Sequence, residues 1–267
     1  MILEALLANA AILIGLVLIL WVVAVQIEDV SFIDSFWGAG MVLLAFTSWR
    51  QLAAPGYLAT LLLAMTAIWG LRLAIHLFIR WRREGEDKRY ERMLRKDREK
   101  GRWAMAALIK VFLGQAVLLF IVSSPAQYGI LEAGTGQQIS GLALTGLALW
   151  CVGIVFEWIG DWQLARFKAD PANEGEVMDK GLWGWTRHPN YFGDACVWWG
   201  IWLAAASAGW WVAAATVIGP IFLTFTLMKW SGAALLEKGM EKRRPGYEDY
   251  KRRVSAFFPW PPKHAGD

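Results

Sequence analysis

The chain has 267 residues, of which 57% are hydrophobic and 18 are tryptophan, and its formal net charge is +4. This is too apolar for a soluble domain, and the charges gather between apolar runs of roughly 20 residues, the length that crosses a bilayer. A soluble enzyme is therefore excluded, and so is a nucleic-acid-binding module, because the basic loops flank apolar spans and carry nearly as many acids; headgroup contact accounts for them better.

A first span is predicted over Leu6–Val25. No Lys or Arg precedes it, so it lacks the basic region of a signal peptide and reads as retained. Gln26–Asp29 forms a polar turn, and a second span runs from about Val30 to Phe46 with Asp34 inside it. After a loop holding Arg50 and Pro55-Gly56, the third span extends from about Tyr57 to Phe78. It carries Arg72 and His76 and continues helically through Arg80. From Arg80 to Arg102 the charge signs alternate, as in a solvated or headgroup-facing helix. The fourth span covers about Trp103–Val122, and Ser123–Gln138 reads as a polar, glycine-containing loop with no basic residue. The fifth, about Leu142–Ile159, leads into Asp161; the sixth is about Tyr191–Ala206 and the seventh about Trp210–Met228. A charged tail follows, with Glu237, Lys238, Tyr247 and Tyr250.

The expected fold is thus an all-α, polytopic membrane protein of about seven transmembrane helices. Nearly all lysines and arginines fall on Arg80–Arg102, Arg166–Arg187 and the tail, which leaves Arg50 alone on the other side. The positive-inside rule then places the N-terminus outside and the C-terminus in the cytoplasm. No repeat or low-complexity linker divides the chain, so residues 1–267 are expected to form one domain. Cys151 and Cys196 lie within apolar segments and read as buried hydrophobes rather than a disulfide.

The densest polar stretch runs from Gly181 to Asp194 and holds Arg187, His188, Asn190 and Tyr191 directly before an apolar run. Pro189 favours an extended residue before it and a helix start after it, so the stretch feeds polar side chains and free helix N–H groups to the mouth of a span, a setting that favours anions. Arg72, His76 and Arg80 are four apart and share one helix face. Such a cationic stripe suits an anionic ligand such as a pyrophosphate, or else its outer member snorkels. Glu157 and Asp161, also four apart, either accept from a ligand or pair with Arg72 or Arg80. Asp34 is the lone acid of the second span. It is either a proton donor to a carbonyl oxygen, kept protonated by apolar surroundings, or the partner of a nearby arginine. The histidines, His76, His188 and His264, are too few and scattered for a metal site.

Taken together, Arg187-His-Pro-Asn-Tyr-Phe-Gly193, Glu157-Trp-Ile-Gly-Asp161, Tyr247-Glu-Asp-Tyr250 with Phe258-Pro259, Asp34-Ser-Phe-Trp-Gly and Glu86-Asp-Lys-Arg-Tyr90 resemble the steroid 5α-reductase-like membrane family, in its bacterial branch. The resemblance runs from the second span to the end and is most specific over 140–260. It implies seven helices and NADPH held from the cytoplasmic side. The implied reaction is reduction of a carbon–carbon double bond conjugated to a ketone, with a 3-oxo-Δ4 steroid giving its 5α-reduced product as the foremost case. By position it implies that Asn190 and Asp194 bind the nicotinamide half, with Asp161, Lys168, Arg187, His188 and Tyr191 nearby. Arg80 and Arg89 would hold the adenosine phosphates, and Glu237 and Tyr250 are weaker matches in the tail. Asp34 falls close to the family's catalytic glutamate, while the assisting tyrosine aligns with Leu77, so His76 or Arg72 is left to supply a second electrophile. The Arg-His-Pro-x-Tyr-x-Gly turn also occurs in isoprenylcysteine carboxyl methyltransferases, which makes a membrane S-adenosylmethionine-dependent methyltransferase the alternative. The expected partners are a lipophilic enone or steroid and membrane lipid, with the protein a monomer.

Overall fold

Helix is the only regular structure among the described residues, apart from one isolated parallel bridge between Thr186 and Ser255. The structure, a computed structural model, describes residues 2–134, 137–230, 237 and 239–263; Lys238 and His264 lie outside the described residues. The longer helices are α1 (Ile2–Ile27), α2 (Ile33–Arg50), α3 (Tyr57–Glu84), α4 (Lys88–Glu99) and α5 (Trp103–Val122). They continue with α6 (Ser124–Ala133), α7 (Gly141–Ala169), α8 (Pro189–Ala206) and α9 (Trp210–Lys229), and the tail adds the short α10 (Met240–Arg243) and α11 (Tyr247–Arg253). Five of them, α1, α3, α5, α7 and α9, are long and apolar enough to cross a membrane, the mark of an integral multi-pass protein. The second and sixth expected spans are the helices α2 and α8, each of 18 residues and each diluted by polar side chains.

Two compact units make up the chain, one of Met1–Ala143 with Ile201–Gly219, the other of Leu144–Gly200 with Pro220–Asp267. In the first unit α2 and α3 touch backbone to backbone, because a methyl group on Gly70 would meet the Gly38 carbonyl oxygen at 2.7 Å. A fully buried Asn9 bolts α1 to this pair. Its amide donates to Ser48 Oγ (2.8 Å) and Gln127 Oε1 (2.9 Å), and its oxygen accepts from Thr47 Oγ1 (2.7 Å). In an apolar interior such a group is tolerated only when its partners are in place.

Gln127 belongs to α6, where the sequence suggested a loop over Ser123–Gln138. The segment is helical over Ser124–Ala133 because its small and apolar residues (Ala126, Gly129, Ile130, Ala133) recur at helical spacing and are buried, and its one buried polar side chain is satisfied by Asn9 and Ser123. A methyl group on Gly129 would fall 2.6 Å from the Ala205 side chain, so only glycine permits that approach.

At one end of this unit Trp81 Nε1 donates to Asp29 (2.7 Å), Asp87 N–H to Ser31 Oγ (2.7 Å) and Arg98 to the Glu28 carbonyl (3.0 Å). These bonds join the α1–α2 turn to the charged segment after α3. At the other end Gly56 N–H donates to the Gly134 carbonyl (3.0 Å). The break between α3 and α4 falls at Gly85, whose φ of 72° belongs to the left-handed region. Asp87 then caps α4 by accepting from Arg89 N–H.

In the second unit α7 and α8 pack through glycines seven apart. A methyl group on Gly200 would strike the Gly146 carbonyl at 2.6 Å, and one on Gly193 would strike Glu157 N at 2.5 Å and the Gly153 carbonyl at 2.6 Å. At the end of this seam Gly160 lies against Pro189 and Asn190, which sets Asp161 opposite Asn190.

Candidate functional site

In the first unit Asp34, in the first turn of α2, lines a hollow of about 330 Å³ together with Ser31, Leu77, Arg80, Trp81 and Asp87. Its Oδ1 accepts from Tyr90 Oη at 2.5 Å and its Oδ2 from Arg89 Nη2 at 2.8 Å, with Arg80 Nη2 at 4.0 Å. Three cations or hydrogen-bond donors thus face one carboxyl group. Of the two sequence readings, pairing with an arginine is the one this geometry realises, and a tyrosine joins it. Arg89 also grips Asp87 through Nε and Nη2, and those bonds outweigh the burial that would raise the Asp87 pKa, so this carboxyl is held below its usual range.

In the sequence Tyr90 enters only as the last residue of Glu86-Asp-Lys-Arg-Tyr90, with no role of its own, because it sits among charges that read as a solvated helix. It is only 8% exposed, and with Leu94 it forms the buried face of α4. Tyr90 and Leu94, four apart on one face of a helix whose other residues are charged except for the exposed Met93, were the available signal. Burial, and then the neighbouring Asp34 carboxylate, pushes its phenol well above the ordinary tyrosine range, so it keeps its proton. Behind it Gln115 Nε2 donates to Tyr90 Oη (3.1 Å), and Trp37 Nε1 donates to Gln115 Oε1. Gln115 follows a π-helical stretch of α5, Leu108–Leu113, a distortion that resets the face a helix presents. Arg72 and His76 are half-buried farther along α3 and are not among the residues lining the hollow, whereas Leu77, where the resemblance places the family tyrosine, is.

The second unit gathers two further groups. Asn190 Nδ2 donates to Asp161 Oδ1 at 3.0 Å, with Asp194 one turn along α8 and Lys168 exposed in the last turn of α7. Separately, Arg187 Nε and His188 Nε2 contact Glu237 Oε1 at 2.8 and 2.9 Å, and Arg187 Nη1 donates to the carbonyls of Lys251 (3.1 Å) and Val254 (2.8 Å). Tyr191 stacks on His188 with ring centroids 5.4 Å apart, and Tyr250 Oη donates to the Trp183 carbonyl at 2.6 Å. Burial would raise the Glu237 pKa, but the hydrogen bonds from His188 and Arg187 prevail and bring it down to about 2. Arg187, His188, Glu237 and Tyr250 therefore staple the tail to the turn before α8. Asn190 and Asp161 are the pair left facing each other at the helix ends.

A family model described as "Protein of unknown function (DUF1295)" matches residues 20–254. An uncharacterized protein of Schizosaccharomyces pombe is 24% identical over 274 residues, spanning 90% of this chain and 76% of that protein. No solved structure matches.

Proposed function

From a chain that belongs to the DUF1295 family of membrane proteins, we propose an enone reductase in which Asp34, held by Tyr90, polarises the ketone of a lipophilic substrate and NADPH is the reductant. The observation that carries this reading is the 2.5 Å contact between Tyr90 Oη and Asp34 Oδ1 beside the hollow. With a solvent proton on its carboxyl group, Asp34 donates to a ketone oxygen seated in the hollow, and the hydrogen bond strengthens as negative charge develops on that oxygen; Tyr90 Oη, donating to Oδ1, stabilises the carboxylate left behind. Arg80 and Arg89 offset the charge left on the pair. The donor role stays with Asp34, and Tyr90, which does not line the hollow, serves as the hydrogen-bond donor to its conjugate base.

The donor set of the second unit fits the proposed reductant. The Asp161 carboxylate and Asn190 amide offer acceptor and donor groups suited to a carboxamide or ribose hydroxyl, and Lys168 offers a cation for a phosphate. When bound, NADPH supplies the hydride that adds to the far carbon of the conjugated double bond. A solvent proton on the carbon next to the ketone completes the product. The flat apolar groove between α2 and α3, lined by Phe32, Phe36, Ile75 and Phe78, suits a greasy substrate such as a 3-oxo-Δ4 steroid.

The test is thermal stabilisation of detergent-purified protein by NADPH, followed by NADPH oxidation on adding a 3-oxo-Δ4 steroid. Asn190→Ala should weaken NADPH binding roughly tenfold, the loss expected for a partly buried hydrogen bond. Stabilisation by S-adenosylmethionine and not by NADPH would replace this reading with a methyltransferase, and stabilisation by neither would remove the enzyme altogether.

A further inference from the structure

The polar chain behind Asp34 has a direction. An indole N–H can only donate, so the Trp37–Gln115 bond requires the amide oxygen of Gln115 to face Trp37. The Gln115 NH₂ group must then face Tyr90, and its bond to Tyr90 Oη puts a donated hydrogen on the phenol oxygen. The one hydrogen that Tyr90 owns is left to point at Asp34 Oδ1, where Arg89 on the other oxygen keeps the carboxylate an acceptor. Every bond from α2 through α5 and α4 and back to α2 runs the same way.

We infer that Trp37 and Gln115 are positioning residues that fix the proton of Tyr90 on Asp34, so that Asp34 Oδ1 keeps this donor throughout. Neither residue lines the hollow, nor does Tyr90, so both act through Tyr90 on Asp34, the member that does. Without Trp37 the Gln115 amide is free to turn over and present its oxygen to Tyr90. The phenol proton then has two acceptors, and Asp34 holds it for only part of the time. A glutamate at 115 does the same permanently, since a carboxylate accepts from both neighbours. The high Tyr90 pKa is consistent with this, because a phenol that never ionises is a switch of hydrogen-bond direction rather than of charge.

The inference rests on the proposed reduction only for its kinetic consequence, and its structural core is read without turnover. The ultraviolet resonance Raman doublet of tyrosine near 830 and 850 cm⁻¹ reports whether a phenol acts mainly as donor or acceptor, roughly independently of catalysis. The Tyr90 contribution is isolated by subtracting the spectrum of Tyr90→Phe. It should show a strong donor in the wild type, and shift in Trp37→Phe and Gln115→Glu while both variants keep their helical circular dichroism. Gln115→Met, which keeps the shape and gives the phenol no strong second acceptor, should keep the donor signature. In the NADPH-coupled assay with a 3-oxo-Δ4 steroid, Trp37→Phe should lower kcat by about tenfold with little change in KM. A Tyr90 doublet that is the same in Trp37→Phe and Gln115→Glu as in the wild type overturns the inference. A wild-type protein with the expected doublet and no NADPH oxidation overturns the proposed reaction and leaves the relay standing.

Discussion

At the scale of single residues, Tyr90 carries the sharpest expectation. Tyr90→Phe removes one oxygen from a buried site and leaves Asp34 with Arg89 as its partner, so folding should survive. Enone reduction should fall by roughly 100-fold or more, the loss expected when a preorganised donor to the charge left on Asp34 is removed. Asp34→Asn should do similar damage to turnover and leave NADPH stabilisation intact. A Tyr90→Phe protein that turns over at the wild-type rate would take the pair out of the chemistry.

Glu237 makes a prediction of a different kind. Its folded-state pKa of about 2 lies below the ordinary 4.5, so its contribution to stability is fully present above pH 4.5 and is lost as pH falls from there towards 2. For a side chain only 15% exposed, that shift corresponds to about 3 kcal/mol at neutral pH. Glu237→Gln should therefore melt well below the wild type at pH 7 and converge on it only near pH 2. Parallel melting curves at both pH values would show that the tail is not held by this ion pair.

At the scale of helices, the glycine seam of α7 and α8 decides where the second polar group sits. A methyl group on Gly193 would press on Glu157 N and the Gly153 carbonyl, both backbone atoms that cannot rotate away. Gly193→Ala should cost about 1–3 kcal/mol and drive Asn190 away from Asp161. Gly15→Ala in α1, with nothing within 4 Å of the added methyl, should be neutral or slightly stabilising. Equal melting temperatures for the two variants would mean that the seam is looser than its geometry.

The helices themselves were mostly legible in the chain because apolar runs and their charged punctuation are local. The seam was not, since glycines seven apart acquire meaning only when another helix presents its own. The same distinction applies to the site. Asp34, Arg80 and Arg89 stood out as charges beside or inside spans, and they converge. Tyr90, Gln115 and Trp37 were hidden because their roles come from contacts across 25 to 78 positions of sequence. The helix α6 escaped because glycine, serine and glutamine resemble a loop until Asn9 is seen to complete their hydrogen bonds.

For the whole molecule, the open question of topology turns on α2. Its 18 residues give about 27 Å of helix, against roughly 30 Å of hydrocarbon, so it is long enough to cross even though its side chains are less apolar than those of its neighbours. The bonds at its two ends argue that it does cross. The turn before α2 is tied to the charged segment through Asp29, Ser31 and Glu28, and the start of α3, just beyond its far end, is tied to the backbone of Gly134. The positive-inside rule predicts the basic segment in the cytoplasm, so Glu28 and Arg98 are expected inside and Gln51 outside. In a background with Cys151 and Cys196 replaced, Gln51→Cys in right-side-out vesicles should react with a membrane-impermeant maleimide. Glu28→Cys and Arg98→Cys should react only after permeabilisation. Labelling of Glu28→Cys and Gln51→Cys from the same face would make α2 a helix that does not cross, and Asp34 would then lie at the surface of the bilayer rather than at the mouth of a span. A lipophilic ketone reaches a carboxyl group at such a mouth directly from the hydrocarbon, whereas at a bilayer surface it would first have to leave it, so the reductase reading and the crossing of α2 stand together.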